Sequence, residues 1–231
     1  MRRRIAGWLR RVPGVAALAR RLRGAAPFPG SAAYWQQRYA EGGDSGAGSY
    51  GKFALFKARV INALFEELGI ASAIEFGCGD GNQLQLLAVR EYVGVDVSAE
   101  AIAICRRKFA GMPGRRFLLA DAAAREGDAL RCEAALSLDV IYHLVEDAAF
   151  ETYMRRLFAA ATRCVVVYSS NRDGVAGDGA HVRHRRFTDW VDAHEPGWKL
   201  LRHVPNEHPY QGDWRTGSFA DFYIYVPRGG Q

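Results

Sequence analysis

The sequence predicts an open α/β fold in a single domain, with a mostly parallel sheet, helices on both faces and an antiparallel pair at one edge. Three observations carry this. Short apolar runs alternate with helix-patterned stretches from residue 73 to residue 169, the order produced by right-handed β-α-β crossovers. The first four predicted strands each meet glycines or an acid at the carboxyl end: Gly77, Gly79 and Gly81, then Asp96, Asp121 and Asp139. The last two predicted strands have no helix between them, so one of them must run antiparallel.

Composition narrows the class. The chain has 231 residues, 49% of them hydrophobic, which suits one globular core and excludes a disordered or membrane-embedded chain. The formal charge of +6 is local. Of 31 basic residues, eight are arginines within residues 1–24, which contain no acid, leaving 23 basic against 25 acidic residues in the body. A near-neutral body disfavours nucleic acid as partner. Cys78, Cys105, Cys132 and Cys164 form no C-x-x-C pair and read as reduced core cysteines of a cytoplasmic protein.

Residues 1–23 place Ile5, Trp8, Leu9, Val12, Val15, Leu18 and Leu22 at helical spacing opposite the arginines, with a break at Pro13-Gly14. Such a basic amphipathic segment suits peripheral contact with an anionic membrane, and its apolar runs are far short of the roughly 20 residues of a spanning helix. Residues 24–50 read as a Gly-rich linker or lid carrying Tyr34, Trp35 and Tyr39, and residues 51–231 as the main domain. The domain opens with a helix whose core face is Phe53, Phe56, Val60, Ile61, Leu64, Phe65 and Leu68, capped by Gly69.

The first strand, 73–76, runs through Glu75 into Gly77-Cys78-Gly79-Asp80-Gly81, and a helix is expected over 83–89. Strand, glycine turn and helix let a backbone approach a nucleotide-like ligand closely. The second strand, 92–96, ends in Asp96, followed by Ser98 as N-cap of a helix over 99–109. Asp96 follows Gly77 by 19 residues, the offset at which an acid reaches a ribose diol. The third strand, 116–120, ends at Asp121 and the fourth, 134–138, at Asp139. After Val140-Ile-Tyr-His143 comes a helix with Phe150, Tyr153, Met154, Leu157, Phe158 and Ala161 on one face. The fifth strand, 164–169, is β-branched through its centre, as befits a strand covered on both sides. A polar stretch, 170–187, holds Asn171, His181, His184, Arg185 and Arg186. A short helix from Thr188 and strands near 197–204 and 217–226 complete the chain, and a loop carrying His208, Tyr210 and Trp214 joins those two strands.

Glu-Phe-Gly-Cys-Gly-Asp-Gly (75–81) resembles the glycine-rich first motif of class I S-adenosylmethionine (SAM) dependent methyltransferases. Its flanking acids would repel a phosphate but welcome a sulfonium cofactor bearing an ammonium. The resemblance extends over residues 50–226 and implies the Rossmann-like, seven-stranded methyltransferase sheet, with SAM as cofactor and S-adenosylhomocysteine as product. It assigns the cofactor to Glu75, Gly77, Cys78, Gly79, Gln83, Asp96, Val97, Asp121, Ala122 and Leu138, with Asp121 at the adenine amine. Tyr50 and Lys52 would close over the ligand, and Asp139, Tyr142, Asn171, His184 and Arg185 would meet the acceptor. Gly-Ala-Gly-Ser-Tyr-Gly (46–51), Asp-Val-Ile-Tyr-His-Leu (139–144) and Ser-Phe-Ala-Asp-Phe-Tyr-Ile-Tyr (218–225) are similar to bacterial methyltransferases associated with surface polysaccharide synthesis.

Methyl transfer from a sulfonium is an in-line displacement in which the protein aligns the acceptor and excludes water. A hydroxyl acceptor also loses a proton, and His143, four residues beyond Asp139, is the candidate base, titrating near 6.5 if unperturbed. The acceptor expected is therefore a hydroxyl of a glycan or other small molecule. An amine acceptor, needing no base, and magnesium-assisted transfer using Asp139 and Asn171 are the alternatives, although one acid and one amide are few ligands. No metal site is predicted. Arg185 and Arg186 would suit an acidic group on the substrate. Two readings of other classes are a nicotinamide oxidoreductase, which would share the glycine turn and Asp96, and an inactive scaffold of the same fold.

Overall fold

The computed structural model describes residues 27–174 and 179–229. The amphipathic stretch 1–23 lies outside them. The elements are α1 (Ser31–Ala40), α2 (Gly51–Leu68), β1 (Ser72–Phe76), β2 (Glu91–Asp96), α3 (Ala99–Lys108), β3 (Arg115–Leu119), α4 (Ala120–Glu126), β4 (Cys132–Leu138), α5 (Asp147–Ala159), β5 (Ala161–Ser169), α6 (Phe187–His194), β6 (Trp198–Val204) and β7 (Asp221–Pro227). The seven strands form one sheet in the order β3-β2-β1-β4-β5-β7-β6. The first five are parallel, and β7 runs antiparallel to both β5 and β6. Every parallel strand therefore points its carboxyl end to one edge, where open α/β sheets bind ligands.

Each face of the sheet has its own core. Phe56, Ile61, Leu64 and Phe65 of α2 pack with Ile102 and Cys105 of α3 on one side. Phe150, Met154, Leu157 and Phe158 of α5 pack with Phe187 and Val191 of α6 on the other. Val165, Val166 and Val167 of β5 are wholly buried, as their β-branched run predicts. The expected helix punctuation is present. Ser98 Oγ accepts the Ala101 N–H at 3.2 Å at the start of α3. Gly69 closes α2 in the left-handed region at φ 61°.

Three local expectations change. The stretch 83–89 holds only a single 3₁₀ turn (Gln83–Leu86), because the Asn62 side chain takes the Leu86 carbonyl and the Ala88 N–H out of any helical ladder. The stretch read as linker contains α1, and its first residue is tied down. Ser31 donates from its N–H and its Oγ to the Glu146 carboxylate, at 2.9 and 2.6 Å. The third strand ends at Leu119, so Asp121 falls in the first turn of α4 rather than at a strand end.

Candidate active site

A cavity of about 830 Å³ opens along the carboxyl edge of β1, β2 and β4, a volume suited to a small-molecule cofactor. The sequence-predicted residues Glu75, Gly77, Cys78, Gly79, Gln83, Asp96, Val97, Leu138, Asp139 and His143 all line it.

The glycine turn forms its floor. Gly77, Gly79 and Gly81 all have positive φ. Gly79, at φ 55°, also has no room for a side chain, since a Cβ there would lie 2.2 Å from Ser45 Oγ and 2.7 Å from Tyr39 Oη. Those two hydroxyls hydrogen-bond each other at 2.7 Å. The segment after α1 therefore lies directly on the turn, and Gln36 of α1 reaches the Val97 carbonyl at 3.2 Å.

Asp96 is buried at the end of β2 and accepts the Gly79 and Ser98 N–H groups at 2.9 and 2.8 Å, one on each oxygen. A carboxylate oxygen has two acceptor sites, so each keeps one for a ligand diol. Burial pushes the Asp96 carboxyl up against the opposing pull of those N–H groups. Glu75 is also buried, receives the Tyr92 hydroxyl at 2.5 Å, and is pushed up by burial to about 7. Gln83 donates to the Ala54 carbonyl at 3.1 Å, while its Oε1 is buried without a hydrogen-bond partner. A buried orphan acceptor is costly to leave unmet. Beside two acids with spare acceptor capacity, it fits a ligand carrying a diol and a cationic head.

At the β4 end, Asp139 adopts φ 61°, the only positive φ of a non-glycine among the described residues. Its Oδ2 is 2.8 Å from Lys57 Nζ and its Oδ1 accepts the Tyr142 hydroxyl at 2.9 Å. His143 follows in a 3₁₀ turn, with Nδ1 3.0 Å from the His181 carbonyl. That contact makes Nδ1 the protonated nitrogen and leaves Nε2 as an acceptor. Trp35 meets the ring edge-on at 4.9 Å, and the His181 ring stacks at 5.4 Å. Burial under these rings pushes His143 down to about 4, well below the 6.5 expected of a free histidine.

Other predicted residues stand away from the cavity. Asp121 is exposed on α4, and neither it nor Ala122 lines the wall. Tyr50 donates to the Asp80 carboxylate and Lys52 to the Thr216 carbonyl. Asn171 is engaged with Thr188. His184 is buried against Ser170, with Nδ1 2.6 Å from its Oγ. Arg185 donates to the Leu144 and Val145 carbonyls and to Asp147, so it braces the loop after β4 instead of facing an acidic substrate. Asp139 and Asn171, the pair suggested for magnesium, are thus each held by protein partners. Among the described residues, no group of three or more His, Cys, Asp or Glu gathers as a metal site.

Sequence reasoning missed Lys57 and Ser45 on the cavity wall, and it named Trp35 and Tyr39, also on that wall, only as part of a linker or lid. The signal for Lys57 was present. It sits four residues from Phe53 and four from Ile61, a lysine in register with the apolar stripe of α2.

Residues 73–163 match a family model described as methyltransferase domain. No curated protein matches the chain. Among solved structures, the chain is similar to the methyltransferase domain of bacterial CtHen1, with 20% identity and a TM-score of 0.58 over 74% of this chain and 97% of that one. It is also similar to magnesium protoporphyrin IX methyltransferase from Synechocystis PCC 6803 with bound SAM, with 12% identity and a TM-score of 0.57 over 88% and 100%. A SAM-dependent methyltransferase from Clostridium acetobutylicum gives 12% and 0.55 over 85% and 98%. Such identities establish the fold, and the family match runs from β1 through α5 to the start of β5. The chain therefore has the fold of these SAM-dependent methyltransferases, and residues 73–163 within it are similar to the methyltransferase-domain family.

Proposed function

We propose that this protein is a SAM-dependent methyltransferase that methylates a hydroxyl of a glycan or other small molecule. The observation that carries the reading is the convergence of the glycine turn, Glu75, Asp96 and the orphan Gln83 Oε1 on the cavity that also holds His143. Asp96 would hold the ribose diol, Glu75 and Gln83 the ammonium, and the glycine turn would allow the close approach. When bound, SAM supplies a methyl group already activated on a sulfonium. The protein's share is alignment, exclusion of water by the segment from α1 to Tyr50, and removal of the acceptor proton. With Nδ1 turned to the His181 carbonyl, His143 presents Nε2 as the proton acceptor, a role that a hydroxyl acceptor would use and an amine would not need.

The motifs shared with surface-polysaccharide methyltransferases support a sugar acceptor. Residues 1–23 would bring the enzyme to an anionic membrane surface, which co-sedimentation with anionic vesicles at low salt tests. The main test is calorimetric titration with SAM, followed by a screen of sugar-nucleotide, lipid-linked glycan and phenolic acceptors for S-adenosylhomocysteine release. SAM binding with turnover supports the reading. Binding of a nicotinamide dinucleotide in its place overturns it, and SAM binding without turnover on any acceptor leaves the inactive scaffold.

A further inference from the structure

Lys57 belongs to no motif, yet it is 1% exposed on the core face of α2 and reaches the cavity wall at Asp139, 82 residues away. A buried ion pair is weak support for stability, because desolvation consumes most of its attraction. A left-handed aspartate adds backbone strain, a feature that clusters at functional sites. The two costs meet on one carboxylate. Lys57 holds one of its oxygens and Tyr142 the other, and the Asp139 N–H is tied to the Tyr168 carbonyl at 2.9 Å. Two acceptor sites remain on a group fixed in position and 14% exposed. Gly48 lies over it so closely that a Cβ would come within 2.9 Å of Oδ2.

The charge around this carboxylate is lopsided. The charged residues lining the cavity are Glu75, Asp96, Asp139 and Glu146 against Lys57 and Arg156. The nearby arginines are engaged elsewhere, Arg183 and Arg185 with loop carbonyls and Asp147. At Asp139 itself the one paired cation is Lys57, already committed to that carboxylate, so an anionic group placed there would meet repulsion, whereas a hydrogen-bond donor would meet a pre-positioned acceptor.

We propose that Asp139, held by Lys57 and Tyr142, receives the methyl acceptor, that this acceptor presents an uncharged hydroxyl or an amine and not an anionic group, and that Lys57 is the positioning residue which fixes that carboxylate. The inference rests on the methyltransferase reading. It also places an otherwise balanced pair of charges beside the cationic ligand that this reading assigns to the cavity.

The test measures binding of SAM, which is cationic at sulfur, and of S-adenosylhomocysteine, which is neutral there, to the full chain and to Lys57→Met, Lys57→Arg and Asp139→Asn. Lys57→Met leaves an unbalanced carboxylate and is expected to shift the affinity ratio about tenfold toward SAM. Asp139→Asn leaves an unbalanced ammonium and shifts it about as far the other way, and Lys57→Arg restores the wild-type ratio. A purely structural Lys57 lowers stability and leaves the ratio alone. Should Lys57→Met fail to fold, Asp139→Asn and Lys57→Arg decide. If the wild type binds SAM and the ratio stays within about twofold in every folded variant, this inference falls while the methyltransferase reading stands. If the wild type binds neither molecule, both fall. Neutral and amino glycosides are expected to release S-adenosylhomocysteine with the wild type, and turnover confined to sugar phosphates or uronates overturns the acceptor class.

Discussion

The two halves of the cavity are built on different principles. On the cofactor side, the glycine turn, Asp96 and Ser98 lie within 22 residues, and each is positioned by its own strand end or helix cap. On the acceptor side, the contacts join residues far apart: Ser31 to Glu146, Lys57 to Asp139, His143 to His181. The first half is a local device that a short peptide pattern can specify. The second exists only once the chain has folded, and its chemistry lives in tertiary contacts. Substitution of His143 on the acceptor side should therefore separate catalysis from cofactor affinity, and substitutions on the cofactor side should not.

The largest effect is expected at His143. His143→Ala should lower turnover about 10²–10⁴-fold while SAM affinity, measured by calorimetry, stays near wild type. Because the ring is packed under Trp35 and His181 and its pKa is pushed down to about 4, the wild-type rate at saturating SAM should hold from neutral pH downward and fall only as pH drops through about 4. A rate limb near 6.5 would mean that the ring is open to solvent during turnover or that another group takes the proton. A variant that turns over normally would leave His143 a loop-shaping residue.

On the cofactor side, Gly79→Val should cost about 1–3 kcal/mol in backbone strain alone, and its Cβ would also displace Ser45 and Tyr39. Asp96→Ala should follow at about 1.5–3 kcal/mol of SAM affinity, through loss of a charged acceptor. Both should depress binding and turnover together. Calorimetry with SAM checks both, and an unchanged affinity with Asp96→Ala in a folded protein would take Asp96 out of the site.

The contrast also explains what could be read in the sequence. The parallel sheet with its antiparallel edge pair needed only alternating strand and helix patterns and a last pair of strands with no helix between them, and Gly69 and Ser98 announce helix ends by local chemistry alone. Asp121 shows how fragile a strand-end assignment is. Ending β3 at Leu119 puts that acid in a helical first turn facing solvent, although its neighbour Ala120 still lines the cavity. The α1 stretch was legible as an aromatic linker or lid but not as an anchored helix, because its anchor at Glu146 is 115 residues away. Lys57 was hidden by its surroundings. A helical stripe of Phe53, Phe56, Ile61 and Leu64 draws attention to its apolar members, while the one charged residue in register with them is the informative one.

Glu75 joins the two halves and gives the smallest and most diagnostic effect. Its carboxyl is 3% exposed, and burial raises it from the ordinary 4.5 to about 7, with Tyr92 and Lys57 opposing the shift and Asp96 and Asp139 adding to it. Between pH 4.5 and 7 the folded chain keeps a proton that the unfolded chain has lost. Glu75's contribution to stability is therefore complete below about 4.5 and declines as pH rises toward 7, by up to about 1.4 kcal/mol per pH unit. Cofactor binding should run the opposite way. An ammonium beside Glu75 favours the carboxylate, so below pH 7 binding must expel the proton, and SAM affinity should weaken up to about tenfold per unit of falling pH. Denaturant unfolding of the ligand-free protein and SAM calorimetry, each at pH 5, 6, 7 and 8, measure the two slopes. Glu75→Gln provides the reference, since other titrating groups contribute equally to both proteins. Wild-type-minus-variant slopes of opposite sign in the two measurements would fix Glu75 as the proton-linked contact of the cofactor. Parallel wild-type and variant curves in the SAM titrations would remove it from the site and leave the ammonium to Gln83, whose Oε1 is buried without a partner.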